Sequence, residues 1–218
     1  MSVAAFTGGM FAENGYLVRC DETGRAIVVD PGASASAMVA ELEAHGSRPD
    51  AIVLTHAHLD HVEGIPAVRD AWPDVPILLH EADLPLYHAV GQQAAMFGLT
   101  APRLPAPDGR LDEGQEISVG RAARFEVRLA PGHAPGHVIL VDHDAGLTLV
   151  GDVVFQGAIG RTDLPGGDFK TLMTSIRERV LTLPDAMRLL PGHGPETTVG
   201  HERVGNPFLV PMYGGRFA

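Results

Sequence analysis

The sequence is short of most features that would mark it for a charged surface or an oxidising compartment. It has a single cysteine, Cys20, so no disulfide framework can form within the chain and no CxxC zinc or redox site exists. It has no basic surplus: Lys and Arg total 16 against 27 Asp and Glu, the formal net charge is −11, and the cations form no cluster. That excludes the positive footprint nucleic acids require and the polybasic anchor that anionic membranes attract. No apolar run reaches the roughly 18 residues a membrane helix needs. The opening MSVAAFTGGMFAENG has no basic start, and its apolar run is too short and glycine-rich for a secretion signal. The cytoplasm is the expected location, with neither nucleic acid nor membrane as a partner. Cys20, in the strand-like YLVRC, reads as a buried structural thiol.

What is present is an ordinary globular composition. The 218 residues are 45% hydrophobic and 20% charged, enough to bury a real core. The 26 glycines and 17 prolines alternate with apolar runs, which points to tight turns rather than disorder. Residues 15–20 and 26–30 read as a hairpin turned by DETG, followed by a helix over 37–44 and a buried strand over 51–55. A helix is expected over 62–71, a strand over 76–80, a helix over 81–90, and a Pro-rich loop over 92–109. A second series follows: strands over 124–130, 138–142 and 147–150, a helix over 168–181 opened by Asp168, and a last strand over 186–190. The order is similar before and after about residue 110, and no linker interrupts it. A sheet-rich α/β layered domain spanning 1–218 is the simplest reading.

The chemistry concentrates at strand ends. In LTHAHLDHVEG, three histidines and an aspartate fall between His56 and His61, just after the run AIVL. His133 follows a strand in LAPGHAPGH, Asp152 follows one in LVGDVVF, and His193 follows one in LLPGHGP. Ligand sites of open α/β sheets lie beyond the carboxyl ends of the strands, where loops converge. The set His56, His58, Asp60, His61, His133, Asp152 and His193 exceeds what one zinc takes and suits two, if one carboxylate bridges. Two such ions share an activated water, whose pKa falls from about 16 to about 7 on coordination. His45, His80, His88, His143 and His201 lack this context and read as ordinary surface or turn residues.

THAHLDH matches the HxHxDH signature of the metallo-β-lactamase superfamily, and PGHAPGH, GDVVF and PGHGP resemble its later ligand motifs in the same order. GRTDLPGGD and GHERVGNPF are similar to the short, single-domain members of its glyoxalase II branch. The resemblance implies a four-layer αβ/βα sandwich with the site at one edge. It implies that His56, His58 and His133 hold one divalent ion, that Asp60, His61 and His193 hold the other, and that Asp152 bridges them. Zinc is the expected metal, with iron or manganese as alternatives. The implied activity is a metal-dependent thioesterase acting on S-lactoylglutathione or a similar small thioester through a metal-bridging hydroxide, which Asp60 helps orient. The alternative is a mononuclear iron dioxygenase of glutathione persulfide, using positions His56, His133 and Asp152.

Two features depart from full-length glyoxalase II. The chain stops soon after its last ligand motif, and its tail NPFLVPMYGGRFA cannot replace the helical domain that grips glutathione there. Where that family carries a basic residue and then an aromatic, this sequence has Arg161 and Asp163. Arg161 can hold a substrate carboxylate, or it can simply pair with Asp163. Asp30 is a candidate to orient a ligating imidazole or a plain turn residue, and His137 is expected to be structural.

Overall fold

The computed structural model describes residues 1–210. Its strands, in chain order, are Ser2–Gly8 (β1), Glu13–Arg19 (β2), Arg25–Val29 (β3), Arg48–Val53 (β4), Ile77–Leu79 (β5), Gly109–Arg110 (β6), Glu116–Val119 (β7), Ala123–Leu129 (β8), Val138–Asp142 (β9), Leu147–Gly151 (β10), Val154–Phe155 (β11), Ala158–Ile159 (β12), Arg188–Pro191 (β13) and Thr197–Thr198 (β14). They form one six-stranded sheet in the order β1-β2-β3-β4-β5-β6 and a second in the order β14-β13-β10-β9-β8-β7. A two-stranded ribbon, β11-β12, stands apart. The division near residue 110 expected from the sequence is the division between the two sheets.

Why the sheets stack follows from strand chemistry. Their central strands are apolar at nearly every position, so both faces must be covered. In β3, Ala26 and Val28 turn outward onto Met38 and Leu42 of the helix Ala35–Ala44, while Ile27 and Val29 turn inward toward the other sheet. In β9 the period of two repeats: Val138 and Leu140 join Phe125 and Ile27 between the sheets, and Ile139 and Val141 meet Leu172, Met173 and Ile176 outside. Three apolar layers therefore separate helices, sheet, sheet and helices, the four-layer αβ/βα sandwich. Phe125 is wholly buried in the middle layer, and cutting it to Ala costs about 3–5 kcal/mol by lost burial and cavity formation.

Strand direction then places the site. β3, β4, β5 and β6 run parallel. β8 and β10 each run antiparallel to β9, and β10 runs parallel to β13. The carboxyl ends of β3 and β4 meet those of β8, β10 and β13 at one edge of the sandwich. The sheets are tied together there: the Val138 amide donates to Thr55 O at 2.8 Å, the Asn14 amide to Gly192 O at 2.7 Å, and the Tyr16 hydroxyl to Pro191 O at 2.7 Å.

Several elements differ from the sequence reading. The helix expected over 62–71 is two pieces, Leu59–Val62 and Ile65–Ala71. The break at Gly64 docks on the preceding turn, its amide donating to Pro31 O at 2.8 Å. The loop expected over 92–109 begins only after the helix Val90–Met96, which buries Val90 and Ala94. β1, β7 and the helix Val199–Gly205 had no counterpart in the reading. Asp168 does cap its helix, accepting the Thr171 amide at 2.7 Å, and Leu172, Met173, Ile176 and Val180 all enter the outer layer. Cys20 is buried between the sheets. Residues 211–218, the end of the tail NPFLVPMYGGRFA, lie outside those described.

Candidate metal centre

The turn after β4 delivers the first group. Leu54 and Thr55 leave the sheet, and His56, His58, Asp60 and His61 follow within a short turn and a single helical turn. His133 comes from the turn after β8, Asp152 directly follows β10, and His193 follows β13. The seven residues singled out in the sequence converge. His56, His58 and His133 present ring nitrogens within 4.8 Å of one another, and Asp60, His61 and His193 form a second such triad. The Asp152 carboxylate lies between them: Oδ1 is 3.5 Å from His61 Nε2, while Oδ2 is 3.4 Å from His133 Nε2 and 3.5 Å from His193 Nε2. Asp60 Oδ2 is 3.3 Å from His193 Nε2.

The donor chemistry fits a cation pair. His56 Nε2, His61 Nε2 and Asp152 Oδ1 are buried without a hydrogen-bond partner, and they face the shared centre. Such orphaned groups cost about 1–3 kcal/mol each unless something satisfies them. His58 Nδ1 and His133 Nε2 face each other at 2.8 Å, lone pair toward lone pair unless a proton or a cation intervenes. On four of the rings the opposite nitrogen is held by the protein, which fixes tautomer and aim. His133 Nδ1 donates to Arg161 O at 2.8 Å and His193 Nδ1 to Phe11 O at 3.0 Å. His61 Nδ1 lies 3.1 Å from Asp30 Oδ2, and His56 Nδ1 lies 3.0 Å from the Thr55 hydroxyl, which itself donates to Asp30 at 2.6 Å. Asp30 therefore orients two imidazoles, one directly and one through Thr55. Asp30, His56 and His61 also cluster tightly enough to chelate. The Asp30 oxygens, however, accept the Thr55 amide at 2.7 Å and its hydroxyl, so its role is to aim the rings. Its φ of +48° is a left-handed conformation that Asp tolerates better than most residues.

Electrostatics separates the two triads. Burial, reinforced by neighbouring imidazoles, holds the pKa of His56 well below the usual histidine value and brings His58 to about 3. Burial also lowers His133. These rings stay neutral and ready to coordinate. Burial opposes charge on His61 as well, yet the carboxylates of Asp152 and Asp60 outweigh it and raise its pKa well above the usual value. His193 is raised against burial by Asp60 and Asp152. Asp152 and Asp60 are lowered in spite of burial, chiefly by His61. The second triad sits in a field that favours positive charge.

Glycine is required where the loops pass closest. Gly151 adopts φ +50°, and a Cβ there would lie 2.7 Å from the His137 ring and from Thr55 Oγ1. A Cβ on Gly192 would run into Asp152 Oδ1 and the His61 ring.

Several residues support the centre, and apart from His137 they had no signal in the sequence. His137, expected to be structural, is buried, stacks on His56 with centroids 4.7 Å apart, and accepts the Asp152 amide at 3.0 Å. Asp83 is buried and accepts the Ala57 amide at 2.9 Å and the Gly136 amide, stapling two of the ligand loops. Burial pushes its carboxyl up to about 6, against those two amides. Gln93 accepts the Leu59 amide at 3.0 Å and donates to Ala57 O and Leu86 O. Glu13 is buried beside the site, 3.9 Å from His61 Nδ1, with both oxygens unpartnered. Burial pushes its pKa up to about 10. Arg161 reaches the rim of the cleft, but its fork closes on Asp163 through two contacts of 2.7 Å. His80 caps a turn, while His45, His88, His143 and His201 are exposed; none joins the site.

Above the triads opens a cleft of about 290 Å³ with His58, Asp60, His133, Asp152 and His193 at its base and Phe11, Phe97, Phe155, Ile159 and Leu164 in its walls. Layers, edge and paired His/Asp triads together define a metal-binding hydrolase fold. The chain belongs to the metallo-beta-lactamase superfamily, whose family model matches residues 8–193. It is 39% identical over 203 residues to a probable metallo-hydrolase, YqgX of Bacillus subtilis, covering 92% of this chain and 94% of that protein. It is 38% identical over 201 residues to the hydroxyacylglutathione hydrolase GloC of Haemophilus influenzae, covering 91% and 93%. Among solved structures, TTHA1623 in a di-iron-bound form superposes with a TM-score of 0.86 at 42% identity, covering 94% of this chain and all of that one (100%). No helix among the described residues is long and apolar enough to cross a membrane.

Proposed function

We propose that the protein is a dinuclear metal-dependent hydrolase of small thioesters, with S-lactoylglutathione as the reference substrate, working in the cytoplasm. The observation that carries this reading is the Asp152 carboxylate, one oxygen toward His61 and the other toward His133 and His193. A carboxylate so placed would be shared by ions held in the His56–His58–His133 and Asp60–His61–His193 triads. When bound, the ion pair supplies Lewis acidity at the carbonyl and a water of lowered pKa. Zinc is the expected metal on donor type; the di-iron form of a 42% identical protein favours iron as the alternative. The complete second triad favours this reading over a one-iron oxygenase.

The chain's own groups do the rest. Asp60, which lines the cleft and whose pKa is held down by His61 and His193, stays charged and aligns the attacking water. The Phe11, Phe97 and Phe155 walls keep bulk water away from the carbonyl. Arg161 is placed to meet a substrate carboxylate once it leaves Asp163. The hydroxyacylglutathione hydrolase relative at 38% identity supports the thioester class.

The test is turnover of S-lactoylglutathione by the metal-loaded protein, with metal content and oxygen uptake on glutathione persulfide measured on the same preparation. Thioester cleavage with two ions per chain is expected. Oxygen uptake with a single iron and no cleavage would overturn the reading.

A further inference from the structure

A second hollow of about 110 Å³ opens off the main cleft and shares His58, Gln93, Phe97 and Leu164 with it. Its walls are mostly carbon, from Leu86, Ala89, Met96, Phe97, Leu164 and Pro165, with Gln92 on its exposed side. Gln93, the polar side chain between the two spaces, is spent on the backbone. Its amide nitrogen donates to Ala57 O at 3.1 Å and Leu86 O at 2.9 Å, and its oxygen accepts from Leu59. A ligand arm entering from the triads therefore meets mainly apolar surface, with the exposed Gln92 as the further polar side chain along it. Met96 and Phe97 are 62% and 41% exposed, so this apolar surface reaches the mouth of the cleft. Such exposure is costly unless it is used.

Size decides which arm it serves, because about 110 Å³ is too small for a peptide-sized thiol such as glutathione. The hollow begins at His58, whose Nδ1 belongs to the first triad. A carbonyl carbon placed over the triads for attack has its acyl substituent and its thiol on opposite sides. We infer that this annexe is an acyl subsite, and that the enzyme prefers thioesters whose acyl group is a short unbranched alkyl chain over acetyl ones. The inference rests on the thioester hydrolase reading above for its chemistry, but the subsite itself is a binding claim. At the roughly 30 Å³ a water takes in the liquid, the hollow has room for about three or four heavy atoms. That matches a chain of butyryl to pentanoyl length. Each buried methylene contributes a factor of about four in affinity or in kcat/KM.

Two measurements test it on the metal-loaded protein. The first is calorimetric binding of S-methyl- and S-hexyl-N-acetylcysteamine, uncleavable thioethers with the same neutral thiol arm. The S-hexyl compound is expected to bind on the order of 10²-fold more tightly. The second is kcat/KM for the acetyl, butyryl and pentanoyl thioesters of N-acetylcysteamine, expected to rise about fourfold per methylene and to be lowest for acetyl. Leu164→Ala, at a half-buried position, should flatten the dependence on chain length. Ala89→Phe, which fills the hollow, should reverse it by excluding the longer chains. Equal binding of the two thioethers, or an unchanged chain-length profile in Ala89→Phe, would overturn the inference. Tight S-hexyl binding without cleavage of any thioester would leave the subsite standing and overturn the hydrolase reading instead.

Discussion

Glu13 gives a prediction whose size can be worked from the structure. Its carboxyl is buried, neither oxygen has a partner, and the ring of His61 is 3.9 Å away. Burial pushes its pKa from 4.5 up to about 10. In the metal-free folded protein it is neutral at pH 7, whereas in the unfolded chain it is ionised. Raised in the fold, it contributes stability fully below the unfolded value and loses it as pH climbs toward the folded one. At pH 7 the unfolded chain has gained about 2.5 units of ionisation free energy, roughly 3 kcal/mol at 1.36 kcal/mol per unit. Glu13→Gln removes the ionisable group and keeps its shape. The test is chemical denaturation of metal-free wild type and variant at pH 5 and pH 7. The variant should gain on the wild type by about 3 kcal/mol at pH 7 and by under about 1 kcal/mol at pH 5, because other groups cancel in the difference. A difference that is the same at both pH values would show that Glu13 is ionised in the fold and would refute the reasoning.

Other consequences are sharper at the site itself. Asp30→Ala removes the acceptor that aims His61 and, through Thr55, His56; metal affinity should fall about 10- to 100-fold by equilibrium dialysis, with the fold intact by circular dichroism. Gly192→Ala drives a methyl into Asp152 Oδ1 and the His61 ring; kcat should drop by at least about 10²-fold, the size expected when a reacting group is displaced by about 1 Å. Asp163→Ala frees the Arg161 fork from its two 2.7 Å contacts; KM for S-lactoylglutathione should fall several-fold with kcat unchanged, and an unchanged KM would show that Arg161 does not meet the substrate.

How much of this was readable in the chain depends on the range of each signal. HAHLDH is local: its spacing and the apolar run before it marked a strand end, and the turns around His133, Asp152 and His193 carried the same mark. The layers were readable too, because apolar runs such as AIVVD and VILVD cannot leave either face in water. What escaped was the support. Asp83 acts on Ala57 and on Gly136, 53 residues away, and no local pattern foretells such a contact. Gln93 lies in a stretch that Pro and Gly made look like loop, yet its side chain closes the hydrogen bonds of the turn carrying His58. β1 was missed because four of the seven residues of SVAAFTG are Ser, Ala or Gly, and it gains its place by pairing along the edge of β2. Arg161 was found, but only side-chain geometry shows its fork on Asp163.

The central claim is that seven side chains hold two cations with Asp152 between them. Anomalous diffraction from crystals of the metal-loaded protein tests it most directly. Two peaks are expected, one contacted by His56, His58 and His133, the other by Asp60, His61 and His193, each within bonding distance of Asp152. A single peak, or two peaks that do not share Asp152, would contradict it.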